Sequence, residues 1–208
     1  MIPLEAIVIF VSASAVLGLA PGPDNVFVLT QSALYGRLAG VVVTLGLCTG
    51  LIVHTAAVAL GVATLFQASA TAFTLLKIVG ASYLLFLAWQ AFRASASTMS
   101  HAADTTIGLA RLYRRGIIMN VTNPKVAIFF LAFLPQFADP QQGPIAVQIM
   151  AFGGLFIGVT AIVFGLIAWS AGYLGEWLQR SDRAQKVLNR IAGTVFIALA
   201  LKLATTER

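Results

Sequence analysis

The chain has 208 residues, of which 59% are hydrophobic and 10% charged, where a soluble domain of this size carries about 25% charged residues. Its net charge is +6, but the basic residues sit at the ends of apolar segments, as in a membrane protein and not a nucleic-acid binder. Windows 38–76, 78–92 and 140–175 contain no Asp, Glu, Lys or Arg. These runs are continuous and do not alternate with period two, which excludes an outer-membrane barrel and predicts helices of roughly 20 residues across the hydrocarbon.

The first predicted span is 4–35. Residues 1–20 have no basic leading segment, Glu5 is the first charge, and the run leads into Pro21-Gly22-Pro23 and not a small-residue cleavage site. A straight helix over 4–35 would reach ~48 Å, too long for a bilayer. Pro21 and Pro23 resolve that mismatch by breaking it. The second span covers 38–66 and contains Cys48, a lone thiol read as a small packing residue. The third covers 71–92. A polar segment with His101, Asp104 and several arginines follows to about residue 115. The fourth span is 116–137, the short loop 138–143 follows, the fifth span is 144–173 and the sixth 187–204. The fold class expected is therefore an all-α integral membrane protein, one transmembrane domain over 1–208.

Six spans put the loops after spans one, three and five on one side. Those loops carry Arg37, Arg93, Arg111, Arg114, Arg115, Arg180, Arg183, Lys186 and Arg190, whereas Lys202 and Arg208 lie opposite. The positive-inside rule then places both termini outside the cytoplasm. Trp89, Trp169 and Trp177 fall near the basic ends and read as interfacial anchors. Lys77, near the start of span three, can snorkel outward.

The two halves match in order. Lys77-Ile78-Val79-Gly80-Ala81-Ser82-Tyr83 in span three parallels Arg190-Ile191-Ala192-Gly193-Thr194-Val195-Phe196 in span six. Gly46-x-x-x-Gly50 in span two parallels Gly154-x-x-x-Gly158 in span five. Pro23-Asp24 in span one parallels Pro124-Lys125 in span four. Three spans per half require the second half to enter from the opposite side, so the expectation is an inverted-topology repeat: about 1–93 and 116–208 around a cytoplasmic loop at 94–115. The Gly-rich faces suit close helix packing within one chain or between copies in a homo-oligomer.

Both breaks fall at mid-membrane depth, roughly 20 Å from the surface marked by Arg37 and roughly 13 Å from that marked by Arg115 by helical rise. Asp24 and Asn25 follow the first break; Asn120, Thr122, Asn123 and Lys125 surround the second. Intramembrane charges are costly and mark function by default. Half-helices starting at Pro23 and Pro124 aim positive dipole ends at the centre, where a carboxylate is favoured. Asp24 suits an ammonium group or a transferable proton, so the set suits a zwitterion. The alternative is a structural ion pair between Asp24 and Lys125, with Asp24 also capping its half-helix. His54 has two readings, a proton relay or a packed neutral histidine. Tyr83 either lines the pathway or packs. No nucleophile–base pair, metal-ligand cluster or phosphate loop is evident, so no catalytic residue, metal or cofactor is expected.

At these residues the chain resembles the LysE/RhtB family of bacterial amino-acid exporters. The resemblance rests on Pro21-Gly22-Pro23-Asp24-Asn25, Gly80-Ala81-Ser82-Tyr83-Leu84-Leu85 and Asn120-Val121-Thr122-Asn123-Pro124-Lys125. It implies a multi-pass inner-membrane exporter of amino acids of the homoserine, threonine, leucine or lysine type, driven by proton antiport. It carries no role for His54, a position at which family members differ. On the residues alone, a transporter of another small solute or ion stays open.

Overall fold

The computed structural model describes residues 2–20, 22–68, 70–93 and 108–205. Pro21, His101 and most of the expected cytoplasmic loop lie outside the described residues. Among the described residues there are eight α-helices and no strand: α1 Leu4–Leu19, α2 Pro23–Tyr35, α3 Arg37–Ala68, α4 Ala70–Arg93, α5 Leu109–Val121, α6 Pro124–Ile128, α7 Ile145–Arg180 and α8 Asp182–Thr205. A π-helical turn, Phe129–Phe133, and 3-10 turns at Leu134–Phe137 and Pro140–Gln142 lie between α6 and α7.

The proline breaks are where the sequence puts them. Pro23 and Pro124 are each the first residue of a helix, a position where a missing N–H costs nothing because no intrahelical partner exists. The helix axes bend by 60° between α1 and α2 and by 49° between α5 and the Pro124–Phe137 segment. Gly36, at φ 85°, closes α2 in a conformation that favours glycine and lets α3 start at once at Arg37.

Two unbroken segments, Arg37–Gly61 and Ile145–Ser170, are long and apolar enough to cross a membrane, and each bent pair meets the same test as a unit. That makes up to four candidate spans by length and hydropathy. The other two expected spans correspond to α4 and α8, 24 residues each and so about 36 Å long; α8 opens on Asp182, Arg183, Lys186 and Arg190. Helix ends differ from the apolar boundaries. α5 starts at Leu109, inside the segment expected as loop, because Leu112 there is fully buried against Val28, Val43 and Leu47 while its arginine neighbours stay outside. α8 starts at Asp182 and not at Val187, since hydropathy marks where lipid contact ends and not where helical hydrogen bonding ends.

α3 packs on α5 and α7, α4 packs on α8, and α1 and α2 pack on α7. The larger core is a phenylalanine cluster in which Phe10 of α1 meets Phe129, Phe137, Phe152 and Phe156. The π turn has a local cause and a use. Its wider i→i+5 winding turns Phe129, Phe130 and Phe133 all inward, each at most 1% exposed. Lipid tails are as apolar as these rings, so their contribution lies in shape-matched packing and not in escape from water.

Glycine provides the closest helix contact. A Cβ on Gly116 would stand 2.6 Å from the Val43 carbonyl oxygen, and one on Gly46 would collide with the carbonyl oxygen of Tyr113. The α3–α5 crossing is therefore backbone on backbone. The expected equivalence of Gly154 and Gly158 does not hold at the level of packing: a Cβ on either meets nothing within 4 Å, and Gly153 makes the contact instead, against Thr55. Spacing alone does not say which face of α7 turns inward. Gly46→Val or Gly116→Val should lower stability by about 1–3 kcal/mol, the usual cost of overpacking, whereas Gly154→Ala should leave it unchanged. Thermal unfolding of the detergent-solubilised protein checks both.

Candidate functional site

A proline removes one N–H donor, and the carbonyl four residues earlier is left without its helical partner. In a membrane interior that carbonyl has to be satisfied by protein or by water in a cavity. α1 ends at Leu19, so the Leu17 carbonyl lies in its last turn, where no helical partner is available, and Pro124 deprives that of Asn120. The structure answers each with a side chain from far along the chain. Lys125 Nζ donates to the carbonyls of Leu17 and Ala20, both at 3.1 Å. Asn25 Nδ2 donates to the carbonyl of Gly18. At the second break the Asn120 carbonyl accepts from the Asn123 amide at 3.0 Å and from His54 Nε2 at 3.1 Å.

The breaks are thus joined to each other. Lys125 follows the second break and serves the end of α1. Asn123 Nδ2 in turn donates to Asp24 Oδ2 at 2.9 Å, while its own Oδ1 accepts the Lys125 amide and caps α6. Asp24 is 2% exposed and Lys125 8%. Gly22 lets the lysine pass, for a Cβ there would lie 3.1 Å from Nζ. The direct ion pair considered from sequence is replaced by this arrangement, in which Lys125 hydrogen-bonds to carbonyls and Asp24 to Asn123. Asp24 does not cap α2 either: the cap position is Gly22, with no side-chain hydrogen bond.

Asp24, Asn120 and Lys125 line one small cavity of about 20 Å³ with Leu17, Thr160 and Phe164. That is room for about one water molecule. Two oxygens are buried without a donor here, Asp24 Oδ1 and Asn120 Oδ1. A buried acceptor left unmatched costs about 1–3 kcal/mol, so the geometry favours a donor-bearing guest. On its other side Lys125 forms part of a second, open cavity of about 370 Å³ between α4 and α8.

Of the expected site residues, Asp24, Asn120 and Lys125 share the small cavity, and Asn25 and Asn123 hold its surroundings. His54 sits one step outward, its ring 5.6 Å from that of Phe130, bonded to the freed carbonyl. Tyr83 lines neither cavity; it packs beside Phe86 against the phenylalanine core, as an aromatic at helical spacing would. Thr160, 5% exposed, was not singled out from sequence, although a hydroxyl in the charge-free stretch 140–175 was available as a signal. No group of three or more His, Cys, Asp or Glu residues that could hold a metal exists among the described residues.

Residues 15–207 match the family profile described as LysE type translocator. The chain is 34% identical over 204 residues to a homoserine/homoserine lactone efflux protein of Salmonella typhimurium, covering 95% of each. It is 33% identical over 199 residues to an uncharacterized membrane protein of Vibrio cholerae, covering 95% of this chain and 96% of that one. A leucine efflux protein of Salmonella typhimurium is 27% identical over 190 residues, 91% of this chain and 90% of its own. No solved structure matches. With a broken-helix site buried among apolar helices and a profile match over nearly the full length, the chain belongs to the LysE-type translocator family of membrane proteins.

Proposed function

We propose that this translocator exports neutral amino acids or close analogues, of the homoserine, threonine or leucine type, across the bacterial inner membrane by proton antiport. The observation that carries the reading is the small cavity. Asp24 Oδ1 and Asn120 Oδ1 are acceptors without donors, and Lys125 lines the same cavity. An α-amino acid is the complementary shape of charge: its ammonium supplies donors for the two oxygens and its carboxylate accepts from Lys125. The efflux names of the homoserine and leucine relatives support the same substrate class.

In this reading Asp24 is the group that exchanges substrate for a proton. Its carboxylate holds the substrate ammonium when loaded from the cytoplasm. Protonation from the periplasm cancels that attraction and releases the substrate outward; the proton is then given up to the cytoplasm. Room for one water is too little for an amino acid, so the helices around the breaks must part during loading. The architecture proposed with this cycle has six spans, two inverted repeats and both termini periplasmic. Exchanging the halves maps the α3–α7 and α4–α8 contacts onto themselves and the α1–α7 contact onto α5–α3, and all of these contacts exist. The basic end is marked by Arg37 stacked on Trp169 at 5.1 Å and Arg93 on Trp89 at 4.8 Å, interfacial pairs that suit a cytoplasmic surface.

Asp24→Asn and Lys125→Met should each cut export roughly 10- to 100-fold, the loss expected for one charge-assisted hydrogen bond of about 1.5–3 kcal/mol, with membrane insertion intact. Efflux from cells loaded with individual amino acids, with the proton gradient collapsed as control, measures this; wild-type efflux by both variants would put the site elsewhere. His54 separates its two readings by a different pair. His54→Gln keeps a donor for the Asn120 carbonyl and should keep at least half of the activity, whereas His54→Phe should lower both activity and melting temperature. Loss of transport in His54→Gln at unchanged stability would instead make the histidine a proton carrier.

A further inference from the structure

The larger cavity has a different chemistry from the small one. Its volume of about 370 Å³ lies in the range of small-molecule sites, about 300–1,000 Å³. It lies between α4 and α8, with Arg93 and Trp89 at the end of α4 and Lys125 on its inner side. The guanidinium of Arg93 is held against the Trp89 ring. Asn189 of α8, 6% exposed, adds an amide to the wall, and Leu87 and Phe196 add apolar surface. The lining thus carries two cations and no carboxylate. Lys125 is common to both cavities, and its bonds to Leu17 and Ala20 make it part of the partition between them.

Resting on the export reading above, we infer that this cavity is a cytoplasmic loading site that recognises the substrate carboxylate alone, before the ammonium is tested at Asp24. Arg93 draws the carboxylate in at the mouth. Lys125 receives it at the inner end, releasing the α1 carbonyls as it does so. Asn189 contacts the polar side chain or backbone of the guest, and Leu87 with Phe196 shields its apolar part. Recognition is split in space: carboxylate first, ammonium second. A carboxylate that lacks the amino group therefore occupies the loading site without being carried onward. A guest that lacks the carboxylate, such as an amino-acid lactone or methyl ester, gains nothing from Arg93.

The test uses purified full-length protein in proteoliposomes, sorted by which face is outward, with radiolabelled homoserine and leucine. Wild-type transport of neither substrate would overturn the export reading itself, and with it this inference. Given transport, Arg93→Gln should raise the KM for the amino acid from the cytoplasmic face about ten-fold, equivalent to one charge-assisted hydrogen bond, with a much smaller change in maximal rate. Arg93→Lys should recover part of that loss. Transport of homoserine lactone by Arg93→Gln should match that by wild type. The unlabelled des-amino acids 4-hydroxybutyrate and 4-methylpentanoate should compete from the cytoplasmic face only, and labelled forms should not accumulate. An unchanged KM in Arg93→Gln, equal effects on amino acid and lactone, or equal competition from both faces would each overturn the loading site while leaving the export reading standing.

Discussion

Everything at the centre of this protein follows from one constraint: a helix broken inside a membrane leaves carbonyl oxygens that no lipid can satisfy. Here the end of α1 is completed by a lysine from the other half of the chain, 108 residues from Leu17 and 105 from Ala20. The same lysine solves a second difficulty. A buried ammonium is expensive without partners, and two carbonyl oxygens supply them without any need for a counter-charge in direct contact. Leu17, Ala20 and Lys125 therefore stabilise one another, and Gly22 leaves room for Nζ, which a Cβ there would approach to 3.1 Å.

That solution leaves Asp24 in an unusual position. Its partner is the amide of Asn123, so one carboxylate oxygen is bonded and the other is buried without a donor. Had Lys125 closed on Asp24, the pair would be self-satisfied and a guest would have to break it. By sending the lysine to the backbone, the fold keeps an acceptor available on one wall and a movable cation on the other. In the proposed cycle the lysine's departure exposes the carbonyls of α1 again, at about 1–3 kcal/mol for each acceptor left unmatched. The substrate-free arrangement is then held shut by hydrogen bonds in which a substrate carboxylate can take the place of the backbone carbonyls as acceptor for Lys125. This links loading to movement at the α1–α2 break with no separate latch.

Much of this was legible in the sequence, but unevenly. Proline chemistry is local, so the breaks at Pro23 and Pro124 and the polar residues beside them could be read directly. What each polar side chain would touch is a tertiary matter. Nothing local to Lys125 says that its nearest acceptors are Leu17 and Ala20, and nothing local to His54 says that it replaces the donor Pro124 lacks. The π turn at Phe129–Phe133 was likewise invisible, because an apolar run scores the same under any helical winding. Gly154 and Gly158 show the converse problem. Their spacing resembles that of Gly46 and Gly50, yet only the α3 pair is crowded, Gly46 by the backbone of Tyr113 and Gly50 by the side chain of Asn120, since spacing defines a face and not the direction it turns. Asn189 fell outside the sequence reading because α8 is amphipathic, and a buried amide there looks, in sequence, like a solvated one.

The contrast between the two cavities bears on how selectivity could be divided in a small transporter. A single compact site that binds both charged ends of a zwitterion must form both sets of contacts at once, in a volume that here admits about one water molecule. A wide cationic cavity on the inner side relaxes that demand, because carboxylate attraction acts before the ammonium is confined. In the proposed cycle the apolar wall of Leu87 and Phe196 beside the amide of Asn189 would take side chains as different as those of homoserine and leucine. Under that proposal, discrimination against simple carboxylates falls to Asp24, where burial makes an unmatched charge costly enough to enforce the choice.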